Sequence, residues 1–205
     1  MTMPKTLLQM AGANPQPPRW SDAALVLIDH QLEYITGGLP LPRASGAVRE
    51  MGLLLQLART AGAPVFHIVH HGRPGGALFN PDGEYVRIIP GLEPHEGEHT
   101  IAKGLPNAFA NTSLNQALKD TGRSAIVIAG FATHMCISAT TRSALDHGFQ
   151  ATVVADACAT RDLPGPTGGV VPAEQVHAVT LAALADRFAT VVPNAAALTP
   201  SFPAA

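Results

Sequence analysis

Short apolar, β-branched runs alternate along this chain with stretches of helical character, and the alternation predicts its architecture. Ala23 to Ile28 is apolar at every position and ends at Asp29; Ala125 to Ala129 is another such run, bounded by Gly130. Pro64 to Val69, Ala151 to Ala155 and Ala189 to Val192 are nearly so, with His67, Thr152 and Thr190 as the polar interruptions. Runs hydrophobic at every residue, rather than at every second one, are the pattern of strands covered on both faces. His67 alternates inward on its strand and reads as a hydrogen-bonded core residue. Between the runs, Ala44 to Ala61 (closed by Gly62 and Pro64), Ser113 to Asp120 (ended by Gly122), Thr133 to His147 (followed by Gly148) and Ala173 to Arg187 read as helices. Strand alternating with helix predicts an α/β fold, a three-layer α-β-α arrangement with a mostly parallel, doubly wound sheet of about six strands joined by right-handed crossovers.

The segments outside this pattern set the organisation. Residues 1–20 form an N-terminal arm, with a short helix expected around Leu7 to Ala11 and the helix-poor run Asn14-Pro15-Gln16-Pro17-Pro18. Residues 21–205 are expected to make a single domain. Gly72 to Thr100, rich in Gly, Pro and charge, is the one long irregular stretch; such loops are lids, binding loops or disordered, and Phe79, Tyr85 and Leu92 argue against full disorder. Gly165 to Gly169 is a second glycine loop. A formal net charge of −2 leaves no basic footprint, so nucleic acid is not an expected partner. Two cysteines make no disulfide framework, no secretory signal pattern opens the chain, and no apolar run approaches the ~20 residues of a membrane span. A soluble, cytoplasmic protein without membrane contact is expected.

Candidate chemistry centres on Gly130-Phe131-Ala132-Thr133-His134-Met135-Cys136, where a strand turns into a helix. With Thr133 as N-cap, Cys136 falls in the first helical turn, where free amides and the helix dipole favour thiolate and could hold an oxyanion. The alternative is a buried cysteine acting as a small hydrophobe, which is the reading taken for Cys158. Asp29 ends the first strand, and in a doubly wound sheet its strand end and that of Gly130 flank the point where strand order reverses. A carboxylate there could take the thiol's proton and pass it to a leaving nitrogen; otherwise it caps the turn after the strand. Lys103, if it reached the cleft rather than solvent, would steady the carboxylate, lower the thiol's pKa and stabilise charge on an attacked carbonyl.

Three stretches in this order resemble the isochorismatase-like cysteine hydrolase superfamily, which includes nicotinamidases, carbamoylsarcosine amidohydrolases and streptothricin hydrolase. They are Leu25-Val26-Leu27-Ile28-Asp29-His30-Gln31 with Tyr34; Lys103 with Asn107-Ala108-Phe109 and Thr112; and Gly130 to Cys136 continuing to Thr140, Ala144 and Gly148. The resemblance implies a catalytic triad of Asp29, Lys103 and Cys136, with a thioester acyl-enzyme. It also implies a cis peptide between Phe131 and Ala132, an oxyanion hole from the amides of Ala132 and Cys136, and a homo-oligomer, dimer or tetramer, to which the proline-rich arm could contribute. Tyr34 matches an aromatic position that packs on substrate. Phe109 and His134 are further candidate substrate contacts, with core packing the alternative for Phe109 and a capping or surface role for His134.

Two departures narrow the expectation. Nicotinamidases of this family hold a metal through an Asp-x-His motif after the second strand, and that place reads His67-Ile68-Val69-His70-His71-Gly72, with no aspartate. No metal and no cofactor are therefore expected. True isochorismatases of the family lack the cysteine, which argues against ether cleavage. The expected activity is metal-independent hydrolysis of a C–N bond in a small molecule, with the loop Gly72 to Thr100 setting specificity and Cys136 alkylated rapidly near neutral pH. The rivals are a non-catalytic flavodoxin-like binding module, against which stand the missing Gly-x-Gly-x-x-Gly and the acidic Asp29, and a redox-responsive thiol pairing Cys136 with Cys158.

Overall fold

The computed structural model describes residues 3–199; the first two residues of the arm and the last six of the expected domain lie outside them. In chain order the elements are α1 (Leu7–Met10), β1 (Ala23–Ile28), α2 (Ala44–Thr60), β2 (Val65–His70), β3 (His99–Lys103), α3 (Leu114–Asp120) and β4 (Ala125–Phe131). Next come α4 (Ser138–Asp146), β5 (Gln150–Ala159), β6 (Leu163–Pro164), β7 (Val170–Val171), α5 (Ala173–Arg187) and β8 (Ala189–Val192). Six strands form one sheet in the order β3-β2-β1-β4-β5-β8, every neighbouring pair parallel. β1 and β4, at its centre, are buried at every residue, which is why their sequences are unbroken apolar runs. On one face α2 presents Ala47, Met51, Leu54, Leu55 and Ala58, a helical stripe, to Leu25, Leu27 and Val127. The other face is closed by α3, α4 and α5 through Leu114, Leu118, Ala144, Leu181 and Leu184 over Val26, Ile28 and Ile128.

Several elements differ from the pattern-based reading. β3 starts at the last two residues of the long irregular stretch and runs on to Lys103. It is an edge strand with His99, Thr100 and Ala102 exposed, so no apolar run betrays it. β5 does not stop at Asp156 but runs on to Ala159. Ile128 pairs with Val153 while Gly130 pairs with Cys158, so the strand bulges between them and turns the exposed Asp156 outward. Cys158 is thus a buried strand residue beside Gly130. Thr133 is not the helix cap. Thr133 to Ile137 form a π turn, and the Thr133 hydroxyl bonds His177 Nδ1 at 2.9 Å.

The long loop is tied to the segment after β1. Leu32 and Glu33 donate N–H bonds to the carbonyls of Arg87 and Tyr85, Ile89 donates to His30, and Glu33 Oε2 accepts the Phe79 N–H at 2.8 Å. Phe79 and Leu92 are its buried anchors, whereas Tyr85 is exposed. In the arm, α1 carries a Thr6/Gln9 capping box, and its Leu7 N–H donates to Asp186 of α5 at 2.8 Å. No described helix is long and apolar enough to cross a membrane.

Candidate active site

Strand order reverses between β1 and β4, and the crevice outside their carboxyl ends is where an open α/β sheet binds ligands. Asp29 follows β1, Lys103 is the last residue of β3, and Cys136 lies in the π turn after β4. The structure brings the three together. Lys103 Nζ is 2.8 Å from Asp29 Oδ2 and 3.3 Å from Cys136 Sγ. Its remaining neighbour is His70 Nδ1 at 3.2 Å, so three acceptors face the three ammonium hydrogens. Asp29 is fully buried and Lys103 and Cys136 are each 3 % exposed. Asp29 also holds a left-handed backbone, φ 53°, a conformation Asp tolerates better than most residues.

Burial at this depth works against a resting thiolate. It pushes the Cys136 thiol up to about 12, and the Asp29 carboxylate adds to the rise while the Lys103 ammonium opposes it. Burial also raises the Asp29 carboxyl, against the pull of Lys103. A thiol raised in this way needs a base at the moment of attack, and Asp29, paired with Lys103 at 2.8 Å, is placed to be one. Alkylation of the Cys136 peptide by iodoacetamide is accordingly expected to be slow at pH 7 and to climb roughly tenfold per pH unit up to pH 10. A plateau below pH 8 in peptide mapping would contradict this.

The turn that carries the sulfur depends on Gly130. Its φ is 121°, and a Cβ there would lie 2.0 Å from the Ile28 carbonyl oxygen, so only glycine lets β4 approach β1 at this level. The Phe131–Ala132 peptide is cis. Beyond it, Ile137 N–H reaches back to the Ala132 carbonyl, while the Ala132 N–H has no backbone acceptor among the described residues. His134 Nδ1 bonds the Thr160 hydroxyl, which fixes the turn to the end of β5. An open cleft of about 860 Å³ lies alongside, over β5 and between the N-terminal ends of α2 and α5. Thr160, His177 and Cys158 line it, whereas Cys136 does not.

The remaining candidates divide. Tyr34 is near the site but 5 % exposed, its ring edge-on to Phe79 and Phe131. Burial, then the charges of Asp29 and Cys136, raise its hydroxyl's pKa. The Tyr34 ring lies within the core cluster under α2. Phe109 packs against His147 and stacks on Phe149, buried in the core that closes the α4 face of the sheet.

Two of the three histidines at the family's metal position, His67 and His70, are engaged elsewhere. His67 is fully buried, with Nδ1 2.9 Å from His30 Nε2 and Nε2 2.9 Å from Glu98 Oε2, and Glu98 is paired with Arg59 at 2.8 Å. Burial works against the Glu98 charge, yet bonds from Arg59, the His95 amide and His67 hold its carboxyl down at about 2. His70 faces Lys103. Among the described residues no group of three His, Cys, Asp or Glu side chains converges as metal ligands, so these residues do not fit a metal.

His30 and Glu98 are absent from the pattern-based reading; the one signal was a second histidine, His67, on the strand beside the residue after Asp29. Burial holds His30 down at about 3. A base whose folded pKa lies below its unfolded value contributes stability that is full above pH 6.5 and is lost as pH falls toward the folded pKa. His30 alone should cost about 3 kcal/mol between pH 6.5 and 4. The urea midpoint should fall across that interval and fall less in His30→Gln; an unchanged slope in the variant would count against the assignment.

An isochorismatase domain model matches residues 23–196. A crystal structure of an isochorismatase from Pseudomonas putida KT2440 is similar with a TM-score of 0.91 at 43 % identity, covering 96 % of this chain and 100 % of that one. An isochorismatase family protein of Bacillus subtilis strain 168 is 42 % identical over 82 % of this chain and 94 % of its own length. Streptothricin hydrolase of Streptomyces noursei is 34 % identical over 85 % of this chain and 69 % of its own.

Proposed function

The chain belongs to the isochorismatase family, and on that premise we propose that it is a metal-independent cysteine hydrolase cleaving a C–N bond of a small molecule, in an amide, carbamoyl or lactam group, through a thioester. The observation that carries the proposal is a single ammonium, Lys103 Nζ, within bonding distance of both Asp29 Oδ2 and Cys136 Sγ. A structural cysteine has no need of a buried acid and base drawn from two other strands. That a relative at 34 % identity is a streptothricin hydrolase supports hydrolysis as the reaction class.

Asp29 takes the thiol proton as Sγ attacks the carbonyl carbon, and the amides of Ala132 and Cys136 receive the developing oxyanion. Lys103 keeps the carboxylate ionised and its charge close to the sulfur as that atom becomes negative. The protonated Asp29 then gives its proton to the leaving nitrogen. Water enters, surrenders a proton to Asp29 and attacks the thioester, and the proton returns to sulfur as the acid leaves. Screening primary amides, ureas and lactams for ammonia or amine release, with Cys136→Ala as control, tests the reading: an active parent and an inert variant are expected. Turnover by the variant on the same substrate would end it.

Assembly as a homo-oligomer belongs to the same proposal. It is supported by the apolar side chains that the arm leaves at the surface, Met3, Leu7 and Met10 at 87, 51 and 66 % exposure. Sedimentation velocity should give a multiple of the 21.3 kDa chain, and a monomer would remove this part.

A further inference from the structure

We propose that His70 is a positioning residue for Lys103, its bare Nδ1 accepting the third ammonium hydrogen and holding Nζ between Asp29 and Cys136. The inference rests on the hydrolase reading, because His70 acts only through Lys103. An ammonium can only donate, so Nδ1, 3.2 Å from Nζ, carries no proton and the ring's hydrogen is on Nε2. Asp29 Oδ2 and Cys136 Sγ take the other two hydrogens.

The imidazole is itself held in place. β2 pairs with β3 so that His70 stands opposite Lys103. The fully buried Gln31 grips the His70 backbone from both sides, accepting its N–H at 2.8 Å and donating to its carbonyl at 3.0 Å. The ring meets Phe79 edge-on with centroids 5.0 Å apart. Burial and the neighbouring Lys103 charge keep the imidazole's pKa down at about 4, so near neutral pH it is an acceptor. Without it, a buried ammonium is left with one hydrogen unpaired and is free to turn from the sulfur.

Leucine and asparagine separate this role from packing, since they share a shape and only asparagine places an acceptor where Nδ1 stood. With a substrate from the amide panel, His70→Leu should lower kcat about 10- to 100-fold with KM within about threefold, and His70→Asn should return kcat to within about threefold of the parent. A leucine variant with parental kcat, an asparagine variant as slow as leucine, or a change confined to KM would each overturn the proposal. A second arm needs neither variant nor substrate: the imidazole ¹⁵N spectrum of the parent should show His70 as the Nε2–H tautomer, and an Nδ1–H tautomer would overturn the assignment. Cys136→Ala is assayed alongside. Its activity would end the hydrolase reading itself, whereas an inert Cys136→Ala with a fully active His70→Leu ends only the role of His70.

Discussion

Exchange of Asp29 for Asn is expected to lower kcat/KM by about 10³- to 10⁴-fold, because it removes the base that faces a thiol held up at about 12. The exchange is conformationally quiet. Asn tolerates the left-handed backbone of position 29, φ 53°, as well as Asp does, so the turn after β1 keeps its shape. It is not electrostatically quiet, since Lys103 loses its ion partner while 3 % exposed. Breaking a buried pair costs about 3–5 kcal/mol, and the Asn carbonyl, still able to accept one bond from Nζ, should keep the loss at the lower end. The parent's pH profile is set by the same carboxyl: its pKa lies above the ordinary 3.8, so kcat/KM should fall as pH drops through a value higher than that. Initial rates of the variant and parent, with urea midpoints for both, check these points. A variant within tenfold of the parent would remove Asp29 from the mechanism.

Gly130→Ala should be the most destructive single methyl group in the chain. Its Cβ would sit 2.0 Å from the Ile28 oxygen and 2.9 Å from that residue's carbon and nitrogen, all backbone atoms of β1. Neither central strand can yield, since β1 is paired on both sides, and the φ of 121° penalises alanine on its own account. A loss of about 4 kcal/mol or more is expected. Activity should go with it, because the same displacement pulls the Asp29 end of β1 away from the Cys136 turn. A variant with the parental urea midpoint would contradict this account of how the two strands meet.

The central strands and the helices that cover them were legible because burial on both faces leaves no polar period to interpret. β3 was not, since an edge strand with three exposed positions looks like the loop before it, and the bulge in β5 presents Asp156 as if the strand had ended. The site divides in the same way. Asp29 and Cys136 could be placed by their position at strand ends. The convergence of Lys103 came from resemblance, and the strand that delivers it was unread. Nothing local in the sequence pairs His70 with Lys103 or His30 with His67. His70 meets Lys103 through the β2–β3 register, and His30 meets His67 across β1 and β2, contacts that exist only once strands are paired. The burial of Cys136 was hidden for a related reason: a helix tip is visible in a sequence, whereas the depth of the residue on it is not.

The central claim is that Cys136 becomes acylated during turnover. Acid-quenching the enzyme in the steady state with a substrate from the amide panel, then measuring intact mass and mapping peptides, tests it directly. The account predicts a mass increase equal to the substrate's acyl group on the peptide bearing Cys136, absent in Cys136→Ala; sustained turnover by that variant, or an adduct on any other residue, would contradict it.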